Sequence, residues 1–141
     1  MNKILVIDDD ASIQILYNDE LTEEGYEVIA SADGSRLMRL IDETKPDLVV
    51  LDVRLGEYDG LDLLQDIRNT YYNLPVILCT AYPAFKYDLK SIAADYYVVK
   101  RSNLEELKLK IKMALEGGNP LIVGTTFGDV TKTEPLLASA V

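Results

Sequence analysis

Five short apolar runs alternate with segments of helical period along this chain, and this alternation constrains the possible folds more than any other feature. The strand-like runs, rich in Val, Ile, Leu and Tyr, cover residues 4–7, 26–30, 48–51, 76–79 and 96–99. Apolar residues recur at helical spacing between and after them, in segments 11–24, 34–44, 60–70, 84–93 and 103–116. Pro46 and Pro75 stand just before the third and fourth runs, where a helix must already have ended.

Five successive β–α units predict an α/β fold with a parallel sheet and helices on both of its faces. Right-handed crossovers make this a doubly wound, three-layer (βα)5 sandwich. The first, third and fourth runs do not alternate with polar residues, as expected for central strands that are covered on both faces. Five strands favour the flavodoxin-like order 2-1-3-4-5, which places a functional site at the carboxyl ends of the strands.

Charge and composition exclude several classes of function. The 141 residues carry a net charge of −10, which disfavours direct contact with nucleic acid or with an anionic membrane surface. The sequence has no histidine, so its chemistry must come from carboxylates, Lys, Thr or Ser. Its single cysteine, Cys79, excludes an internal disulfide and fits a cytoplasmic protein, and its apolar neighbours predict a small buried side chain without a redox role.

The segment 117–141 differs in kind from the residues before it. Gly117, Gly118 and Pro120 form a strong stop after the last helical pattern, and no helical period follows. We therefore expect one domain over residues 1–116 and a C-terminal tail over 117–141. A linker, a docking extension and a remnant of cloning are all open readings of that tail.

Chemistry-bearing residues follow four of the five predicted strands. Asp8 and Asp9 follow the first strand, Asp52 the third, Thr80 the fourth and Lys100 the fifth. Each alone has an ordinary explanation in a turn, a helix cap or a solvated surface, and N-capping accounts for most of the role of the neighbouring Asp10. Because the carboxyl ends of parallel strands share one edge, we expect the group to converge. Carboxylates without His or Cys favour Mg²⁺ there.

These residues stand within longer stretches that are specific as a set. The stretches are 4–10 (ILVIDDD), 47–52 (DLVVLD), Asp59-Gly60, Thr80-Ala81 and 94–100 (ADYYVVK). Together they resemble the receiver domains of two-component response regulators, the CheY-like superfamily. The resemblance covers residues 3 to about 116 without a detectable insertion.

The resemblance implies that Asp52 is the phosphoacceptor and that phosphorylation depends on Mg²⁺. It implies that Asp9 binds the metal directly, that Asp8 binds it through water, and that Asp52 and the backbone carbonyl of Arg54 complete the protein ligands. Lys100 is implied to contact a phosphoryl oxygen. The physical logic agrees, because Mg²⁺ and a lysine offset the repulsion between an attacking carboxylate and a phosphoryl group.

A switch is implied as well. Thr80 donates a hydrogen bond to the phosphoryl group, and Tyr97, three residues before Lys100, matches the family's switch aromatic. The alternative for Tyr97 is a half-buried strand aromatic. The readout face comprises the fourth predicted helix, the fifth predicted strand and the fifth predicted helix, and it is also available for homodimer formation.

The sequence departs from the family pattern at two positions. Arg101 follows Lys100 where the family usually has a proline, so we expect a trans peptide there. Gly56 takes the place of a proline usual four residues after the acceptor, which loosens that loop. Arg54 and Tyr82, each two residues beyond a site residue, are expected at the rim of the pocket.

The favoured function is a single-domain phosphoacceptor or phosphorelay intermediate that receives its phosphoryl group from a histidine kinase or a histidine phosphotransfer protein. It would signal to a downstream protein target, and it is not an enzyme beyond self-phosphorylation and slow autodephosphorylation. A degenerate receiver that acts as a phosphorylation-independent interaction module is the alternative. A phosphatase of the haloacid dehalogenase type is disfavoured because Arg54 stands where a second aspartate would be needed.

Overall fold

A five-stranded parallel sheet forms the centre of the protein. The computed structural model describes residues 1–81, 94–100 and 104–117. The sheet strands are β1 (Lys3–Ile7), β2 (Glu27–Ser31), β3 (Leu48–Asp52), β6 (Val76–Thr80) and β7 (Tyr96–Val99). Their spatial order is β2-β1-β3-β6-β7, which is 2-1-3-4-5 when only the sheet strands are counted. The predicted α/β fold and strand order are confirmed.

Four helices are present in the described residues: α1 (Ala11–Glu23), α2 (Leu37–Thr44), α3 (Gly60–Thr70) and α4 (Glu105–Leu115). A single 3₁₀ turn, Gly34–Arg36, precedes α2, so the predicted helix 34–44 begins with a tighter turn. The predicted helix 84–93 lies outside the described residues. No helix in the described ranges is long and apolar enough to span a membrane.

The chain divides into two compact units, Met1–Ile111 and Lys112–Val141. Of the second unit, only residues 112–117 are described, and they comprise the end of α4 and the turn that follows. Gly117 closes that turn with a φ of +79°, a conformation that favours glycine. Most of the predicted tail 117–141 is outside the described residues, and its separation from the domain stays a prediction.

The central strands are buried on both faces, as their unbroken apolar runs predicted. All five residues of β3 and of β6 are buried. Leu5, Val49 and Leu78 lie in a core cluster with Leu37 and Ile41 of α2 and buried leucines of α3. The strand residues between them are buried on the opposite face. Burial on both faces fixes the register of the strands, and thereby the position of the side chains at their ends.

The second strand begins one residue later than predicted. The N–H of Tyr26 donates to the carbonyl of Leu21 at 3.1 Å, so Tyr26 belongs to the turn that closes α1. The first ladder bond runs from the N–H of Glu27 to the carbonyl of Asn2, at 2.9 Å.

Strand β1 pairs on both sides, with β2 and with β3. Side-chain contacts strengthen its start: the N–H of Lys3 donates to Asp47 Oδ2 at 2.7 Å, and Lys3 Nζ donates to the carbonyl of Thr44 at 2.6 Å. The first strand therefore holds together elements that are far apart in sequence. Lys3 and Asp47, for example, are 44 positions apart.

A short hairpin follows β3, and the sequence analysis did not predict it. Its strands, β4 (Arg54–Leu55) and β5 (Tyr58–Asp59), are antiparallel and have two residues each. Gly56 in the turn of this hairpin has a φ of +62°, a backbone conformation that residues with a Cβ adopt only at a cost in free energy. Because β4 begins two residues after the end of β3, the hairpin lies beside the carboxyl end of β3.

Candidate functional site

The turn between β1 and α1 orients the first two acids. Asp10 caps α1, and its Oδ1 accepts from the N–H groups of Ser12 at 2.9 Å and Ile13 at 3.4 Å. The N–H of Asp10 donates to Asp8 Oδ1 at 2.9 Å, and Gln14 Nε2 donates to the carbonyl of Asp8 at 2.6 Å. Asp8 is therefore fixed in a buried position, whereas Asp9 is exposed. The predicted capping role of Asp10 is confirmed.

Three carboxylates meet at the carboxyl edge of the sheet. Oxygens of Asp8, Asp9 and Asp52 all lie within 4.8 Å of one another, and Asp52 is 6% exposed at the end of β3. Oxygen donors at this spacing, two of them buried and one open to solvent, fit a small divalent cation such as Mg²⁺. The predicted convergence of these acids is observed, and their roles as metal ligands stay a proposal.

Lys100 supplies the positive charge of the cluster. Its Nζ lies 2.6 Å from Asp8 Oδ2 and 3.1 Å from Asp52 Oδ2, with 15% of its side chain exposed. The N–H of Lys100 donates to the carbonyl of Thr80 at 2.6 Å, which aligns the end of β7 with the end of β6. One ammonium group thus neutralises part of the charge of two buried carboxylates.

The burial of these charges changes their acidity. Burial and the nearby charge of Asp8 outweigh the attraction of Lys100 and raise the pKa of Asp52 to about 6. Burial alone would lower the pKa of Lys100, but its hydrogen bond to Asp8 and the charges of both carboxylates outweigh this and raise that pKa. Lys100 is therefore a permanent cation, whereas Asp52 takes up a proton in mildly acidic solution.

A glycine is required where α3 begins. Asp59 caps this helix through the N–H of Leu61 at 2.8 Å, and the N–H of Gly60 donates to the carbonyl of Val53 at 2.7 Å. A Cβ on Gly60 would overlap the carbonyl oxygen of Asp52 and lie 2.8 Å from the Cα of Val53. The backbone at the start of α3 therefore lies against the backbone of Asp52 and Val53. This close approach requires glycine at position 60 and fixes the backbone position of Asp52.

The hairpin contributes two main-chain donors to the acids. The N–H of Arg54 donates to Asp52 Oδ1 at 3.3 Å, and the N–H of Gly56 donates to Asp9 Oδ2 at 2.8 Å. Arg54 itself is exposed, consistent with the predicted rim. Tyr82, the other predicted rim residue, and the Lys100–Arg101 peptide bond lie outside the described residues.

Three further residues singled out from the sequence lie on β6 and β7. Thr80 is fully buried at the end of β6, and Tyr97 is partly buried against the core cluster. Cys79 is 1% exposed, which confirms the predicted burial, and Tyr17 Oη lies 3.1 Å from its Sγ. Burial, as the main cause, raises the pKa of Cys79 to about 11.

Sequence reasoning missed three contacts that shape this site: those of Gln14, Gly56 and the Tyr17–Cys79 pair. The first two involve a main-chain carbonyl and a main-chain N–H, which nearly every residue type offers, so no residue pattern signals them. The third joins side chains 62 positions apart, and only the tertiary fold brings them together.

The raised pKa of Asp52 predicts that the metal-free protein is less stable above pH 6 than below it. The pKa of Asp52 is about 6 in the folded protein and about 3.9 in an unfolded chain. The protonated carboxyl therefore contributes stability that is fully present below about pH 4 and lost as the pH rises through 6. The contribution is at most ~3 kcal/mol.

Urea denaturation across this range, without divalent cations, would measure the effect. Asp52→Asn should be more stable than wild type by about 1–3 kcal/mol above pH 7, with the difference vanishing near pH 4. Asp66→Asn, which removes an exposed carboxylate of α3, serves as the control and should follow wild type. Parallel pH profiles for wild type and Asp52→Asn would contradict the prediction.

The site has a buried carboxylate that a lysine partly neutralises, and oxygen ligands surround it at the switch point of a doubly wound sheet. This combination defines a class of phosphoryl-accepting signalling domain. The family model of the response regulator receiver domain matches residues 4–112. The chain belongs to this family, and it is a phosphoacceptor of two-component signal transduction rather than a classical enzyme.

Solved structures support the same assignment. The response regulator TrrA of Thermotoga maritima, in complex with Mg²⁺ and BeF, is 40% identical, with a TM-score of 0.79 over 81% of this chain and 99% of that chain. TrrA in complex with the histidine kinase ThkA gives 40% identity and a TM-score of 0.77 over 82% of this chain and 99% of that chain.

Curated relatives differ in length. Sporulation initiation phosphotransferase F of Bacillus subtilis is 30% identical over 115 residues, which is 80% of this chain and 93% of that protein. Regulatory protein AtoC of Escherichia coli is 30% identical over 118 residues, 82% of this chain but only 26% of AtoC. The chain spans about half the length of other relatives.

Proposed function

We propose that Asp52 accepts a phosphoryl group from the phosphohistidine of a histidine kinase or of a histidine phosphotransfer protein. The observation that carries this proposal is the contact of Lys100 Nζ with both Asp8 and Asp52, at 2.6 and 3.1 Å, among three converging carboxylates. The complex of the similar protein TrrA with a histidine kinase supports this class of donor.

In this reaction an oxygen of Asp52 forms a bond to phosphorus while the phosphorus–nitrogen bond of phosphohistidine breaks, and the imidazole leaves with its electron pair. Lys100 would exchange part of its hydrogen bonding with the carboxylates for contacts with the phosphoryl oxygens, and it would neutralise charge on those oxygens. Asp52 must be ionised to attack. Because its pKa is raised to about 6 in the absence of a cation, part of the acceptor is protonated in mildly acidic solution before the metal binds.

Asp8, Asp9, Asp52 and the backbone carbonyl of Arg54 would hold Mg²⁺. The bound ion would supply charge neutralisation that brings the phosphoryl group and the carboxylate together. The proposal is supported by the spacing of the three carboxylates, within 4.8 Å, and by the Mg²⁺ that accompanies BeF in the TrrA complex. Arg54 and Tyr82 would form the rim around it.

The phosphorylated state would be read through Thr80 and Tyr97. Thr80 is buried next to the strand that carries Asp52 and would donate its hydroxyl to a phosphoryl oxygen. Tyr97 lies on the neighbouring strand and is partly buried, and its ring would change position when Thr80 moves. The face that contains β7 and the last helix of the receiver would then deliver the signal to a protein target or to a second copy of the chain.

The receiver domain would comprise residues 1–116, with 117–141 as a separate tail. A net charge of −10 supports a protein target rather than direct contact with nucleic acid.

Intact-mass measurement after incubation with acetyl phosphate and Mg²⁺ tests the acceptor. We expect wild type to gain the mass of one phosphoryl group and Asp52→Asn to gain none. The matched control is Asp47→Asn. It changes the aspartate that directly precedes the first residue of β3, and it should be phosphorylated like wild type. An adduct that persists in Asp52→Asn would refute the assignment. Absence of an adduct in wild type, with this donor and with any kinase, would favour the phosphorylation-independent interaction module.

A further inference from the structure

The main-chain N–H of Gly56 joins the hairpin to the most exposed acid of the site. It donates to Asp9 Oδ2 at 2.8 Å, across 47 positions of sequence. Asp9 is exposed, so its carboxylate would otherwise rotate freely in solvent. The contact therefore gives a fixed orientation to the acid of this cluster that has the least packing around it.

The hairpin holds the Gly56 donor in place. Arg54 pairs with Asp59 and Leu55 with Tyr58, and Leu55 is 2% exposed. Tyr58 packs closely over Gly34, where an added Cβ would lie 3.2 Å from the Cβ of Tyr58. The N–H that reaches Asp9 thus belongs to a supported turn.

Glycine is the residue type that permits this contact. A proline, which the resemblance to the family leads one to expect at this position, has no N–H to donate and has a φ near −65°. Gly56 has a φ of +62° and no neighbouring atom within 4 Å of where a Cβ would be. The loop is built around a donor that the usual residue could not provide.

We propose that Gly56 is a positioning residue for the metal site: its N–H holds Asp9 Oδ2 so that the other carboxylate oxygen faces the cation. This inference rests on the proposed binding of Mg²⁺. Hydrogen bonds to the free oxygen of a ligating carboxylate typically change metal affinity by 10–100-fold. The β4–β5 hairpin is then part of the metal site.

Amide exchange measured by NMR tests the contact in the metal-free protein. We expect Asp9→Ala to lower the protection of the Gly56 amide by about tenfold, the equivalent of one hydrogen bond. Asp8→Asn changes a neighbouring acid that does not accept from Gly56 and should leave that protection unchanged. In wild type the protection should persist at saturating Mg²⁺. Loss of protection on adding Mg²⁺ would mean that the cation competes with Gly56, and would overturn the proposal.

The affinity for Mg²⁺, measured by calorimetric titration, tests the consequence. Gly56→Ala keeps the N–H and should bind within about threefold of wild type, whereas Gly56→Pro removes it and should bind about 10–100-fold more weakly. Equal affinities of the two variants would overturn the inference alone. Absence of Mg²⁺ binding by wild type would overturn the proposed metal site as well. If Gly56→Pro does not fold, the exchange experiment decides by itself.

Discussion

Replacing Lys100 with methionine is expected to destabilise the metal-free protein by about 3–5 kcal/mol above pH 7. Methionine keeps most of the length of the side chain and removes its charge, so Asp8 and Asp52, which are 2% and 6% exposed, remain buried beside each other without a cation. Lys100 lowers the pKa of Asp52, so without it that pKa should rise further; proton uptake by Asp52 then relieves the repulsion, and the loss should shrink as the pH falls. Mg²⁺ should restore part of the stability, because the proposed metal site uses the same carboxylates. Phosphorylation should be lost at every pH.

Urea denaturation with and without Mg²⁺ measures the effect of Lys100→Met. Arg39→Ala is a suitable control, because the pair of Arg39 with Glu43 spans 4.0 Å and their side chains are 70% and 58% exposed. Loss of such a surface pair should cost less than about 1 kcal/mol and should not respond to Mg²⁺. If Lys100→Met were no less stable than Arg39→Ala, the ammonium group would not be what permits the two carboxylates to be buried.

Gly60→Ala is expected to destabilise the protein by at least ~3 kcal/mol. The new methyl group would overlap the carbonyl oxygen of Asp52, and backbone atoms cannot move aside as a flexible side chain can. Any relief must shift α3 or the end of β3, and the end of β3 carries Asp52. The folded fraction of the variant should therefore also accept phosphate poorly.

Gly25→Ala separates this steric effect from the general cost of replacing a glycine. Gly25 has a φ of +99° and no atom within 4 Å of a new Cβ, so alanine there should cost about 1–2 kcal/mol from backbone strain alone. Thermal or urea unfolding of the two variants gives the comparison. Equal losses of stability would show that the contact between Gly60 and Asp52 is not restrictive in solution.

The parts of this fold that sequence predicted best are those that repeat a simple physical rule. Strands β1, β3 and β6 are buried on both faces, and apart from Lys3, Asp52 and Thr80 at their ends their residues are apolar without alternation. Parallel topology then brings Asp8, Asp52 and Lys100 together, because the carboxyl ends of parallel strands lie along one edge of the sheet. Strand ends are less certain: the turn bond of Tyr26 to Leu21 moved the start of β2 by one residue.

The parts that sequence could not predict depend on contacts without a residue signature. Two-residue strands such as β4 and β5 are too short to show a period of two. The contact of Gly56 with Asp9 uses a main-chain donor, and the sequence showed only that a proline was missing there. For Gly60 the resemblance marked the position, but only the structure shows that the backbone of Asp52 leaves no space for a Cβ.

The amino end of the sheet has a charged network of its own, away from the acids. Arg68 of α3 donates to the carbonyl of Leu74 at 2.5 Å and to Asp95 Oδ2 at 2.8 Å. The same oxygen of Asp95 accepts from the N–H of Val76 at 2.8 Å. The starts of β6 and β7 are thereby tied to α3, at the end of these strands that lies opposite the acids.

The pairing of β1 with both β2 and β3 affects how the chain folds during synthesis and how it responds to truncation. β1 is synthesised before β3, and Ile4 pairs with Leu48, so the inner ladder must wait for the synthesis of more than forty further residues. Until then a strand of four fully buried apolar residues has no permanent cover on that side. Deleting β1 would open two ladders at once, so this strand is a poor place for truncation.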